Sequence, residues 1–198
     1  MPTKAFYNLE IKKQKQLLDA ARKEFSIHLF EEASINKIIK DINMPRGSFY
    51  LYFENKEDIY LYILENYLKS FKNVLFELLK ENNNDIFKSM VCLYDYIVDN
   101  KKLDHTLITN IFINMNSKQI EMAIPKLLKK EVDGSIISAT DFKNYNVEED
   151  EIEVIMSILF PLLFMSIGKT YSNTCDKKNV REFYIKQINI IKKGLERR

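Results

Sequence analysis

The chain reads as an all-α protein of about nine helices, and three observations predict it. Only 4 Gly and 4 Pro stand among 198 residues, too few for the turns of a many-stranded sheet. Apolar residues recur at spacings of three and four along most of the chain, the period of a helix with one buried face. Ser34–Phe53 compresses two short helices and a tight turn into one stretch, followed at once by Glu54-Asn55-Lys56. The expected organisation is a three-helix head over residues 1–54 and a helical body over 55–198.

The first helix spans about residues 8–25, where Ile11, Leu18, Ala21 and Phe25 form one stripe and Lys12, Lys13 and Lys15 lie off it. Ser34 caps the second, its hydroxyl placed to accept a free backbone N–H. Ile35, Ile38, Ile39 and Ile42 form the buried face. Asn43 tolerates the positive φ of a tight turn. Pro45 suits the first turn of the third helix, where its missing N–H costs nothing. Phe49, Tyr52 and Phe53 face inward. Asn55 to Asp58 is a capping box. The helix it opens runs to about Lys80, roughly 38 Å at 1.5 Å per residue, the length of an inter-domain connector.

Residues 81–85 form a polar break. Helices follow over about 85–100, 102–115 and 118–130, and residues 131–146 read mostly as loop. The next helix covers about 148–170, with a kink expected at Pro161. Its apolar stretch, Val154–Ile167, falls short of the roughly 18–20 residues a bilayer span needs and reads as buried on all sides. The last helix spans about 177–195 on Tyr184, Ile188, Ile191 and Leu195.

Net charge is +2, so the whole-chain field is weak. Residues 1–56 carry 10 Lys/Arg against 7 Asp/Glu, and the remainder 20 against 21. A mildly basic front on a near-neutral body fits a nucleic-acid head. Cys92 and Cys175 stand far apart without a CxxC pair, which points to a reducing cytoplasm. The N-terminus has no continuous apolar run, so no signal peptide is expected. His28 and His105 lack a nucleophile partner, and no metal spacing or phosphate loop stands in the sequence. The expectation is a protein that is not an enzyme, with no cofactor, no metal and no membrane.

A helix laid in a major groove about 12 Å wide needs small leading residues and donors beside them. Arg46-Gly47-Ser48 supplies both. Arg46 can grip a guanine edge or a phosphate in bidentate fashion. Tyr50 points away from Phe49 and Phe53. Ser34 and Lys56 stand at helix N-termini, where an anion is favoured, and Lys37 lies off the isoleucine stripe. Each also has a plain structural use, as a cap, a surface aromatic or a solvated charge.

The stretch AARKEFSIHLFEEASINKIIKDINMPRGSFYLYFENKEDIY resembles the N-terminal domain of TetR/AcrR-type transcriptional regulators. The resemblance rests on AA-x3-F of the first helix, S-I-x2-I-I of the second, R-G-S-F-Y-x-Y-F of the third and N-K-E-D after it. It implies Ser34 and Lys56 on phosphate, and Arg46, Gly47, Ser48 and Tyr50 in the groove. Lys37, Pro45 and Leu51 complete the candidate DNA-binding set. Three departures stand out: Ile42-Asn43 for the usual Ala-Gly, Pro45 for Ser, and Leu51 for His. Leu51 offers an apolar contact, such as to a thymine methyl, in place of a hydrogen bond.

The family further implies a homodimer with an effector pocket in each body. Ile155, Leu159, Leu162, Leu163, Tyr184, Ile188 and Ile191 are the candidate dimer residues, on two helices able to form a four-helix interface. Tyr94, Phe112, Met115, Phe160, Phe164 and Met165 suit an apolar or aromatic ligand. Both sets serve an ordinary core equally well. The expected function is a ligand-responsive DNA-binding regulator, a repressor released from a pseudo-palindromic operator by a small apolar or aromatic molecule. The alternative is a helical regulator that acts through a protein partner or without an inducer.

Overall fold

A computed structural model of the protein describes residues 1–100, 103, 105–114, 134–143, 145–171 and 175–196. Its helices are α1 (Lys4–Tyr7), α2 (Ile11–Ile27), α3 (Ile35–Asp41), α4 (Arg46–Tyr52), α5 (Lys56–Glu81), α6 (Ile86–Asp99), α7 (His105–Asn114), α8 (Gly134–Ala139), α9 (Glu151–Tyr171) and α10 (Lys177–Leu195). The described residues hold no strand, only an isolated antiparallel bridge between Tyr145 and Glu196. The architecture is all-α, as composition and periodicity predict. The helix expected over 118–130 lies outside the described residues. The chain forms two compact units, Met1–Leu68 with Thr106–Ile124, and Lys69–His105 with Pro125–Arg198, and the division falls inside α5.

In the first unit the buried stripe of α2 is Leu17, Ala20, Ala21, Glu24 and Phe25. Ile11, expected to begin that stripe, is 81% exposed, because it sits in the first turn, ahead of the packed face. The aromatic that packs from the start of the chain is Phe6 of α1, fully buried against Phe53 at 5.0 Å and Tyr62 at 5.5 Å between ring centroids. Ile38 and Ile39 bury the inner face of α3.

Asn43 stops α3 at φ 51°. Around it Met44 N–H donates to the Ile39 carbonyl (2.9 Å) and Asn43 N–H to that of Lys40 (3.2 Å), the paired bonds that satisfy a helix's last carbonyls. The same device ends α5. Asn83 and Asn84 stand at φ 56° and 60°, Asn84 N–H reaches Leu79 (2.7 Å) and Asn83 N–H reaches Lys80 (3.4 Å). The polar break is therefore a built helix end that uses asparagine where glycine is usual. At the start of α5, Asp58 N–H donates to Asn55 Oδ1 (2.8 Å), and Asp58 Oδ2 accepts from Glu54 N–H (3.3 Å).

The second unit is built on α6, α9 and α10, packed against one another. Tyr94 of α6 and Tyr184 of α10 stack with ring centroids 5.0 Å apart. Arg181 grips Asp95 with two bonds of 2.7 Å, and Lys192 donates to Asp85 at 2.7 Å. Helix α9 has 21 residues and a mean hydropathy of 1.8, which is long and apolar enough to cross a membrane by length and composition. It is not buried on every side. Ile155, Leu159, Leu163 and Ile167 face the core, while Val154, Ile158 and Met165 are exposed. The helix continues through Pro161.

Candidate nucleic-acid interface

Helix α4 is two turns long, and its faces divide cleanly. Phe49 and Phe53 are fully buried and hold it on the first unit's core. Arg46, Gly47, Tyr50 and Leu51 point the other way, at spacings that put them on one face, and all four are exposed. Leu51 is 61% exposed beside the exposed Tyr50, so this end of the face is apolar. Arg46 lies 6.0 Å from the Tyr50 ring centroid, within cation–π range. Pro45 precedes the helix at φ −59°, its carbonyl accepting Ser48 N–H at 2.9 Å. Ser48 is half-buried beside that face. A Cβ added to Gly47 would meet nothing within 4 Å, and no glycine among the described residues has a positive φ. The fold itself does not require glycine at that position.

Lys56 is bonded to the residue before Ser34, which brings these two candidates, 22 residues apart in sequence, close together. The Lys56 ammonium donates to the carbonyls of Glu31 (3.1 Å) and Ala33 (2.9 Å) and lies 4.7 Å from the Phe30 ring centroid. Two of its three N–H groups are thus used within the chain. Ser34 stands at the N-cap of α3, but its side chain makes no cap bond, contrary to expectation. Its backbone N–H donates instead to Oε1 of the buried Glu24 at 3.0 Å. The Lys37 ammonium donates to His28 Nε2 (3.0 Å) and stands 3.9 Å from Glu24 Oε1. Glu24 is a buried neighbour of both candidate residues that periodicity alone misses, although a glutamate inside the buried AARKEF stripe is the signal that marks it.

The body residues sort differently from expectation. Ile155, Leu159, Leu163, Tyr184 and Ile188 are at most 5% exposed, so they belong to the chain's own core and leave no surface for a partner. Leu162 and Ile191 are half-exposed. The outward apolar positions are Val154, Ile158 and Met165 on α9 with Phe183 and Ile190 on α10. Met165, expected in a pocket, therefore stands on the outer face. Tyr94, Phe160 and Phe164 are buried, with Phe160 and Phe164 rings 6.5 Å apart. Phe112 stands on α7 with its side chain outside what is described, and Met115 lies outside the described residues.

Tyr94 and Thr170 hydroxyls share a hydrogen bond in this core. The Thr170 proton goes to the Ser166 carbonyl (2.9 Å), so Tyr94 must be the donor. Burial pushes the Tyr94 phenol up, partly offset by that bond. Burial likewise pushes Tyr171 up to about 12 and Tyr184 higher still. Among the described residues no His, Cys, Asp and Glu cluster could hold a metal.

Two family models match this chain. Residues 17–63 match the domain of bacterial regulatory proteins of the tetR family, and residues 85–195 match the tetracyclin repressor-like C-terminal domain. An uncharacterized HTH-type transcriptional regulator, YdgC of Bacillus subtilis, is 27% identical over 130 residues, covering 62% of this chain and 65% of that protein. The chain thus spans just under two thirds of that relative's length. Two solved structures share the fold: regulator FadR from Bacillus subtilis in complex with stearoyl-CoA (TM-score 0.64, 18% identity, 88% of this chain and 96% of that one), and the fatty acid degradation regulator FadR from Bacillus halodurans (TM-score 0.64, 20% identity, 86% and 97%). The turn motif with its outward-facing α4, and a domain match over more than half the sequence, place this chain in the TetR family of bacterial regulatory proteins.

Proposed function

We propose that the protein is a cytoplasmic, DNA-binding transcriptional repressor that acts as a homodimer, releases its operator when a small apolar molecule binds, and catalyses no reaction. Residues 1–54, joined by Lys56, carry the DNA contacts, and the rest of 55–198 carries effector and dimer contacts. The observation that supports it best is the exposed face of α4. Arg46 reads or clamps, Tyr50 and Leu51 add aromatic and apolar contact, and Gly47 lets the helix backbone approach. Ser34, Lys37 and the remaining Lys56 hydrogen fix register on phosphate. Pro45 and Ser48 shape the leading turn.

Two heads on a pseudo-palindrome supply the affinity that one two-turn helix lacks. Leu162, Ile191 and the outward residues of α9 and α10 form the dimer face. Tyr94, Phe160 and Phe164 line or support the effector site. An effector that favours one spacing of the two heads lowers DNA affinity by its differential binding to the two states. The fold neighbour seen with stearoyl-CoA makes a long-chain acyl-CoA the first compound to titrate.

The test is selection of duplexes from a random-sequence pool by the purified protein, followed by a mobility-shift assay. Arg46→Gln is expected to weaken the selected duplex by about 1–3 kcal/mol, or to reduce the salt slope by about one, with the melting temperature unchanged. No selected duplex, or binding indifferent to Arg46, would refute the proposal.

A further inference from the structure

The seven-residue helix α4 ends with carbonyls that its own backbone cannot satisfy. Two of them are taken by one residue far away in sequence. Thr3 N–H donates to the Tyr52 carbonyl at 2.9 Å, and the Thr3 hydroxyl donates to the Leu51 carbonyl at 2.5 Å. Thr3 is the N-cap of α1, yet its side chain makes no bond to α1 itself. Its hydroxyl serves the other helix. Three residues on, Phe6 is fully buried with its ring 5.0 Å from Phe53 and 6.5 Å from Tyr52. Tyr50 and Leu51, half of the exposed face, belong to the turn held in this way. A two-turn helix is marginal without such support.

We infer that Thr3, anchored by Phe6, is a positioning residue for DNA recognition: it locks the last turn of α4 so that Tyr50 and Leu51 meet the duplex in one fixed pose. This rests on the DNA-reading function proposed above. Thr3 acts through α4 and need not touch DNA. Removing its hydroxyl lets the last turn fray, and the binding free energy must then include re-forming it.

The experiment compares Thr3→Val, which keeps the shape and loses the donor, with Thr3→Ser, which keeps the donor. The probe is a duplex selected by the wild-type protein from a random-sequence pool. Thr3→Val is expected to bind roughly fivefold more weakly, the scale of one hydrogen bond, with the salt slope unchanged. Hydrogen exchange of the Tyr52 and Phe53 amides in the free protein should quicken. Thr3→Ser should restore both. The inference is overturned if Thr3→Val binds and exchanges like wild type. It is also overturned if affinity merely follows a global fall in melting temperature that Thr3→Ser does not rescue. A wild-type protein that selects no duplex would overturn the DNA-reading function itself, and this inference with it.

Discussion

Gly47 separates what the fold needs from what a partner needs. Nothing in the chain occupies the space where a Cβ would stand, and the backbone there is ordinary for a helix. Gly47→Ala should therefore stabilise the protein, by up to about 1 kcal/mol. The same methyl group would face the floor of the groove, and a loss of about 1–3 kcal/mol in operator affinity is expected. Thermal melts and a DNA titration on one preparation check both signs. Lys56 is a poorer probe, because its ammonium also holds the carbonyls of Glu31 and Ala33, so its loss would mix stability with binding. Arg46, Tyr50 and Leu51 were legible in the sequence because an outward face follows from Phe49 and Phe53 pointing inward. Thr3 was not, since a bond to a residue 48 positions away leaves no periodic trace.

Among the elements, the stripes of the helices were legible, and their sidedness was not. α9 is apolar on every face, so its spacing cannot say whether Leu159 or Ile158 turns inward; packing on α6 and α10 decides for Leu159. Tyr184 falls to the core for the same reason, stacked on Tyr94. This packing also sets a pH limit. Tyr94, Tyr171 and Tyr184 are raised above the ordinary tyrosine value of 10.0 chiefly by burial, and Lys192 is raised chiefly by its bond to Asp85. A raised value means the folded chain holds its proton more tightly than the unfolded chain. The stabilisation is therefore complete below about pH 10 and drains away as pH climbs through the folded values, near 12 for Tyr171. Melting temperature should fall steeply between pH 10 and 12. Tyr171→Phe loses the bond to the Val98 carbonyl, so it should melt lower at pH 8 but fall less over that alkaline interval.

For the whole molecule, a net charge of +2 gives little long-range steering, so the proposed DNA affinity rests on short-range contacts, which a homodimer would make twice. Under the proposed function, dimerisation is a condition of operator binding. The outward apolar residues of α9 and α10, with Ile190 70% exposed, are the surface proposed for it. Ile190→Lys should give a folded monomer by sedimentation, with unchanged circular dichroism and weakened operator binding. Half-sites about 34 Å apart, one duplex turn, are what paired heads of this kind read. The family was plain from residues 20–60, where backbone demands and DNA demands coincide in a short string, and the all-α class from composition and periodicity along the chain. The body was legible only as helices, because many apolar sequences fill a core equally well.

Asn43, Asn83 and Asn84 look dispensable, since all three are polar and exposed. Their left-handed backbone makes them the opposite. A branched side chain at any of them would be penalised by roughly 1–2 kcal/mol, while glycine would be accepted freely. In a saturation scan these three sites will reject branched side chains more than other exposed positions do, and solvent accessibility will give no warning of it.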